Sequence, residues 1–200
     1  MRLSVVAGRC GSGKTTVIRE CGRGKRFTFI ASNPESAEML RGIATETDSY
    51  PFKSPCARVR QYSFRIDMHS DDPVPIIVSE PPGGCTEQSS PLLNPIYANG
   101  RDRYAIGALI TVVDGTAFPI PFSKRTSEGL RTFNMVFESD AVCVTHADLM
   151  DDSMRNAVSE AIRAINDECE IVFFSPGGEG VGRMTDLIFG GSEYSRPLRC

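Results

Sequence analysis

The sequence predicts an α/β domain: a mostly parallel sheet with helices on both faces, in three α/β/α layers. Three observations carry this expectation. Short aliphatic runs alternate with amphipathic stretches along the chain. Several runs end in a carboxylate, as buried parallel strands do when they deliver a polar side chain to the sheet's carboxyl edge. The first run breaks into a glycine-rich turn that leads straight into a helical pattern.

Each element follows in order. Residues 2–7, Arg-Leu-Ser-Val-Val-Ala, form a strand, and a helix begins at residues 16–20. Residues 26–31 give a second strand, and Ser32-Asn33-Pro34-Glu35 a turn with a helix cap. Residues 35–43 are weakly helical. Residues 45–58, with Pro51 and Pro55, are the least regular part. Residues 59–67 alternate like an exposed strand, and a helix entering at Ala57 fits equally well. Residues 75–80 form a buried strand ending in Glu80, and Pro81-Pro82-Gly83-Gly84-Cys85-Thr86 must be a loop. Residues 105–114 are the next strong strand, and residues 123–138 an amphipathic helix. Residues 141–145 form a buried strand that delivers His146-Ala147-Asp148. The best helix covers residues 151–168, with Met154, Val158, Ala161, Ile162 and Ile165 on one face. Residues 170–174 are the last strand. A Gly-rich loop from Ser175 to Gly182 and a helix over residues 181–189 close the domain, which is expected to span residues 1–190 with 191–200 as a tail.

Composition narrows the function classes. Two hundred residues suit one domain with a sizeable core. A formal charge of −3 gives no support for nucleic acid binding. No run approaches the ~18 apolar residues of a membrane span. The N-terminus enters a strand directly, so no signal peptide and a cytoplasmic location are expected. Seven cysteines, an odd number without a C-x-x-C pair, argue against both a disulfide framework and a self-contained zinc knuckle. Cys143, inside an apolar run, reads as a core residue. His69, in a polar context, reads as a solvated loop residue without a role.

The chemistry concentrates at the first glycine-rich turn. Gly8-Arg9-Cys10-Gly11-Ser12-Gly13-Lys14-Thr15-Thr16 is a full G-x-x-x-x-G-K-[ST] phosphate-binding loop between strand and helix. Gly8, Gly11 and Gly13 let the backbone wrap an anion with its N–H groups inward. Lys14 supplies a cation for the β- and γ-phosphates, and the Thr15 hydroxyl is placed to ligate Mg²⁺. Glu80, three residues before Gly83, has the spacing of an acidic group that reaches Mg²⁺ while the glycine N–H senses the γ-phosphate. Thr145-His146-Ala147-Asp148 occupies the strand end where GTPases carry Asn/Thr-Lys-x-Asp. There the carboxylate accepts two N–H groups of guanine; here His146 stands in place of Lys. The alternative role for Asp148 is to cap the next helix. Ser175, Pro176 and Gly177 sit where a GTPase presents backbone to the guanine oxygen. Asp48, Glu46 and Glu35 are unranked candidates for a further Mg²⁺ contact.

Together these motifs resemble the CobW/HypB/UreG family of P-loop GTPases, over about residues 1–190 and loosely between 32 and 75. Glu80-Pro81-Pro82-Gly83-Gly84-Cys85-Thr86 is similar to the Glu-Pro-x-Gly-x-Cys-Thr form of a CobW-like branch. Thr111-Val112-Val113-Asp114 and Ser175 to Gly180 resemble the family's later strand and its Ser-Ala-x-x-Gly-Glu-Gly loop. In size the chain is closer to HypB and UreG than to full-length CobW proteins. The resemblance implies a Mg²⁺-dependent, slow GTPase that binds GTP and GDP, with Lys14 and Glu80 as its catalytic residues. It also implies a nucleotide-dependent homodimer and a client metalloenzyme or corrinoid protein, with Ni, Zn or Co as cargo metals. The chain departs from the family's Cys-rich segment and keeps only Cys56 in that region. Cys56 and Cys85 stand as candidate transition-metal ligands against the plainer and preferred reading of two loop thiols. Two rivals remain: a small-molecule kinase or ATPase on the same fold, and a GTP-binding scaffold that does not hydrolyse.

Overall fold

The computed structural model describes residues 2–31, 33–49, 59–69, 71, 74–79, 105–123 and 125–190. Its centre is β1 (Arg2–Gly8), buried from Leu3 onward. Burial of such an unbroken aliphatic run requires ladder partners on both sides and cover on both faces. Both are present. β1 pairs with β4 (Ile76–Ser79) on one side and β5 (Ala105–Asp114) on the other. Beyond β4 lie β2 (Thr28–Ala31) and the edge strand β3 (Glu46–Ser49). Beyond β5 lie β6 (Ala141–Thr145) and β7 (Glu170–Phe173). The order is β3-β2-β4-β1-β5-β6-β7, and every ladder is parallel. The neighbours of β1 are far from it in sequence, so the chain reverses direction across the sheet at the carboxyl end of β1. That is where α/β sheets open a ligand crevice.

Helices α1 (Lys14–Cys21), α2 (Pro34–Met39), α3 (Val59–Met68), α4 (Ser127–Glu138), α5 (Asp152–Arg163) and α6 (Val181–Phe189) complete the layers. Alternation along the strands sorts the core. Ile110, Val112 and Cys143 face one side and pack with Ile18 of α1 and Met184 and Ile188 of α6. Val113, Val142 and Val144 face the other and pack with Val136 of α4 and Val158 and Ile162 of α5. Cys143 is fully buried, as expected.

Of the two readings left open for residues 59–67, the helix is the one formed, over Val59–Met68. Three expectations are corrected. Residues 46–49, inside the segment read as irregular, pair with β2 as an edge strand; edge strands tolerate polar sequence such as Glu-Thr-Asp-Ser. The helix expected from residue 123 starts at Ser127, because the Thr126 side chain caps it by accepting from the Gly129 N–H at 2.9 Å. The helix expected to run to 168 ends at Arg163, because the Asn166 side chain turns the chain by accepting from the Cys169 N–H. Among the described residues no helix is long and apolar enough to cross a membrane.

Candidate functional site

The turn after β1 can only be built with glycine at its ends. Gly8 has φ +146, and a Cβ there would strike the Val112 carbonyl oxygen of β5. Gly13 has φ +89, and its added Cβ would lie 3.2 Å from the Thr145 methyl. The loop is thus pressed against the ends of β5 and β6. The Thr145 hydroxyl fastens it, donating to the Ser12 carbonyl at 3.0 Å with the Val113 carbonyl at 3.2 Å. Cys10 and Gly11 are exposed at the tip, whereas Ser12, Lys14 and Thr15 are buried. The Lys14 ammonium spans the loop and donates to the Arg9 carbonyl at 2.5 Å. No acidic residue sits in the first turn of α1, so its N-terminal end keeps its positive character. The Thr15 hydroxyl lies 3.3 Å from the Ser36 hydroxyl of α2.

The β6 and β7 strand ends complete a second region beside the loop. His146 takes the left-handed conformation, φ 59. Its Nδ1 lies 3.1 Å from Asp114 Oδ1 and 3.3 Å from the Thr145 hydroxyl. At Asp114, burial opposes the charge. The Thr116 hydroxyl and N–H and the His146 ring outweigh it and hold the carboxyl below its ordinary range. Asp148 sits exposed in the turn Ala147–Leu149. It does not cap α5: that role falls to Asp151, which accepts from the Met154 N–H at 2.8 Å. Gly13, Thr16, Thr145, His146, Phe174 and Pro176 line one cavity of about 50 Å³. Ser175 and Gly177 follow in the same loop, which closes on itself through Ser175 N–H to the Glu179 carbonyl. A larger cavity of about 200 Å³ lies beside the Arg9–Ser12 arm, against the end of β5 and α4. Its walls hold none of Thr145, His146, Asp148, Ser175, Pro176 and Gly177, so the smaller cavity is the one that joins the loop to the β6 and β7 ends.

Other sequence-based candidates fall elsewhere. Glu80, Gly83, Cys56 and Cys85 lie outside the described residues. Both carboxylate oxygens of Asp48 accept from a single nitrogen, Arg65 Nη1, at 2.9 and 3.0 Å. His69 is not solvated: it is buried at the end of α3, with Nε2 3.6 Å from Asp48 and Nδ1 3.8 Å from Glu46. The carboxylates of the acidic edge strand face it there. Among the described residues no cluster of three or more His, Cys, Asp or Glu could hold a metal ion.

Sequence reading missed Ser36 and Arg155. Arg155, on α5, donates to the Ala147 carbonyl at 2.7 Å and to both Glu179 oxygens at 2.8 and 2.9 Å. A lone Arg on a helix gives no sequence signal of such a role.

A strand, a glycine-rich turn and a helix bearing Lys and Thr in its first turn, central in a parallel sheet, define the phosphate-loop nucleotide-binding α/β fold. Solved structures of GTPases share this fold. The hydrogenase maturation factor HypB from Archaeoglobus fulgidus superposes with a TM-score of 0.64 at 13% identity, over 93% of this chain and 87% of that one. Zn(II)-bound YjiA GTPase from E. coli gives 0.64 at 14% identity, over 95% of this chain and 61% of YjiA. The signal recognition particle receptor FtsY from Elizabethkingia anophelis gives 0.52 at 16%, over 93% of this chain and 61% of FtsY. No protein-family model and no curated relative matches the sequence.

Proposed function

We propose that the chain binds GTP and GDP and hydrolyses GTP slowly. The observation that carries this reading is the Thr145 hydroxyl bond to the Ser12 carbonyl, which sets a phosphate loop and a Thr-x-x-Asp strand end against one cavity. Phosphates entering the loop draw the Lys14 ammonium away from the Arg9 carbonyl, where it rests in this structure. Asp148, exposed at the turn, accepts the guanine N–H groups, and the backbone of Ser175, Pro176 and Gly177 faces the base oxygen. The His146 ring packs along the base in place of a Lys stem. Mg²⁺ fits the donor set: the Thr15 hydroxyl is a hard oxygen ligand in the first helical turn, and Glu80 is the expected carboxylate. When bound, the ion neutralises charge on the β- and γ-phosphates.

The finer reading is a metallochaperone-like switch that loads or activates a client metalloenzyme or corrinoid protein. The fold shared with a hydrogenase maturation factor and with a Zn(II)-bound GTPase supports it. In this reading a homodimer forms across the nucleotide face, and Cys56 and Cys85 are the thiols to test with Ni, Zn and Co. Calorimetry with GTP, GDP and ATP in Mg²⁺, on wild type and Asp148→Asn, tests the base reading. A GTP preference that D148N abolishes is the expected result; ATP binding equal to or tighter than GTP overturns it. Phosphate release without an added acceptor then separates a hydrolase from a kinase.

A further inference from the structure

The two loops that flank the base-side cavity come from different strands, and both leave the sheet at exposed turns. One backbone bond joins them, from the Ala147 N–H to the Phe174 carbonyl at 3.2 Å. Arg155 supplies the rest. One nitrogen of its guanidinium, Nη2, reaches the Ala147 carbonyl at 2.7 Å and Glu179 Oε2 at 2.8 Å. The other, Nη1, reaches Glu179 Oε1 at 2.9 Å. The same group lies over the Phe173 ring, 4.9 Å from its centroid, so the last strand fixes its height. Glu179 in turn organises its own loop: its carbonyl accepts from the Ser175 N–H, and its N–H donates to the Ser175 hydroxyl at 3.1 Å. One planar donor fork therefore binds the residue before Asp148 and the far side of the Ser175 turn.

We propose that Arg155 is a positioning residue for base recognition, setting the distance between the Asp148 turn and the Ser175–Glu179 loop so that both meet one purine at once. The proposal rests on the guanine reading above. Arg155 touches no nucleotide in this scheme; it acts through Ala147 and Glu179. Lys could not replace it, because a single ammonium cannot serve a carbonyl and both oxygens of a carboxylate in one plane.

The test is nucleotide affinity of wild type, Arg155→Met, Arg155→Lys and Glu179→Gln for GDP, IDP, ADP and pyrophosphate. IDP keeps the base oxygen that faces the Ser175 loop and lacks the exocyclic amine that Asp148 reads. R155M keeps most of the apolar stem and removes the fork. It is expected to weaken GDP by about tenfold, the scale of one coupled interaction, and IDP by less, so the GDP-to-IDP preference falls. Pyrophosphate affinity is expected to stay at the wild-type level, since the phosphate loop is untouched. R155K and E179Q should shift the preference the same way, and they carry the test should R155M not fold. A GDP-to-IDP ratio that stays at its wild-type value, whether or not the melting temperature falls, overturns the positioning role. Wild type that binds ADP as well as GDP overturns the guanine reading, and this role with it.

Discussion

His146 holds a backbone conformation that its own side chain disfavours. A left-handed φ at a residue with a Cβ costs about 1–2 kcal/mol relative to glycine, and the Nδ1 contact to Asp114 is the visible compensation. The residue lines the smaller cavity beside the phosphate loop. Two substitutions separate backbone from ring. His146→Ala loses the Asp114 contact and keeps the strain; His146→Gly loses the contact and relieves it. Urea unfolding should find the Gly variant more stable than the Ala variant by about 1 kcal/mol, with both weakened in nucleotide binding. An Ala variant as stable as the Gly variant would show that the left-handed turn carries no cost.

Helix α3 is fixed to the edge strand by charge as well as packing. Arg65 grips Asp48 with two contacts, and buried His69 lies against Asp48 and Glu46. Asp48→Asn is expected to lower stability by about 1 kcal/mol in urea unfolding and to leave the Mg²⁺ dependence of nucleotide binding unchanged. A changed Mg²⁺ dependence would mean that Asp48 leaves Arg65 for the metal. These elements also mark where sequence reading stopped. β5 was legible to its last residue, because ten largely apolar residues ending in Asp admit few other structures. β3 was not, because Glu-Thr-Asp-Ser carries no hydrophobic signal and its strand character comes from β2 beside it. α3 stayed undecided because its polar residues fit both periods. The phosphate loop was legible because its whole constraint lies within nine consecutive residues. The Arg155 bridge was not, because residues 147, 155 and 179 meet only once the sheet has formed.

At the scale of the molecule, three carboxyls among the described residues link stability to acid. The Arg183 fork at 2.6 Å lowers Glu170, the Arg155 fork lowers Glu179, and Asp114 is lowered despite its burial. A carboxyl whose folded value lies below its unfolded one adds stability above the unfolded value, near 4.5 for Glu and 3.8 for Asp. That contribution is lost as pH falls through the depressed folded value. Thermal melting should therefore decline steadily from about pH 5 downward. Glu170→Gln should flatten part of that decline, and salt should shrink the difference because this pair is half exposed. A wild-type and E170Q profile that run parallel at low salt would remove Glu170 from the account. The strand order has a further consequence, for the time course of synthesis. Leu3 finds its ladder partners only at Ile76 and Ile106, and no earlier strand borders β1. On the ribosome the first strand must wait, unpaired, for most of the sheet to emerge, and the Gly8 turn has no β5 carbonyl to press against until Val112 is made. The cavity beside Gly13 has walls from β6 and from the Phe174–Pro176 turn as well, so a nascent chain completes it only after that turn has emerged.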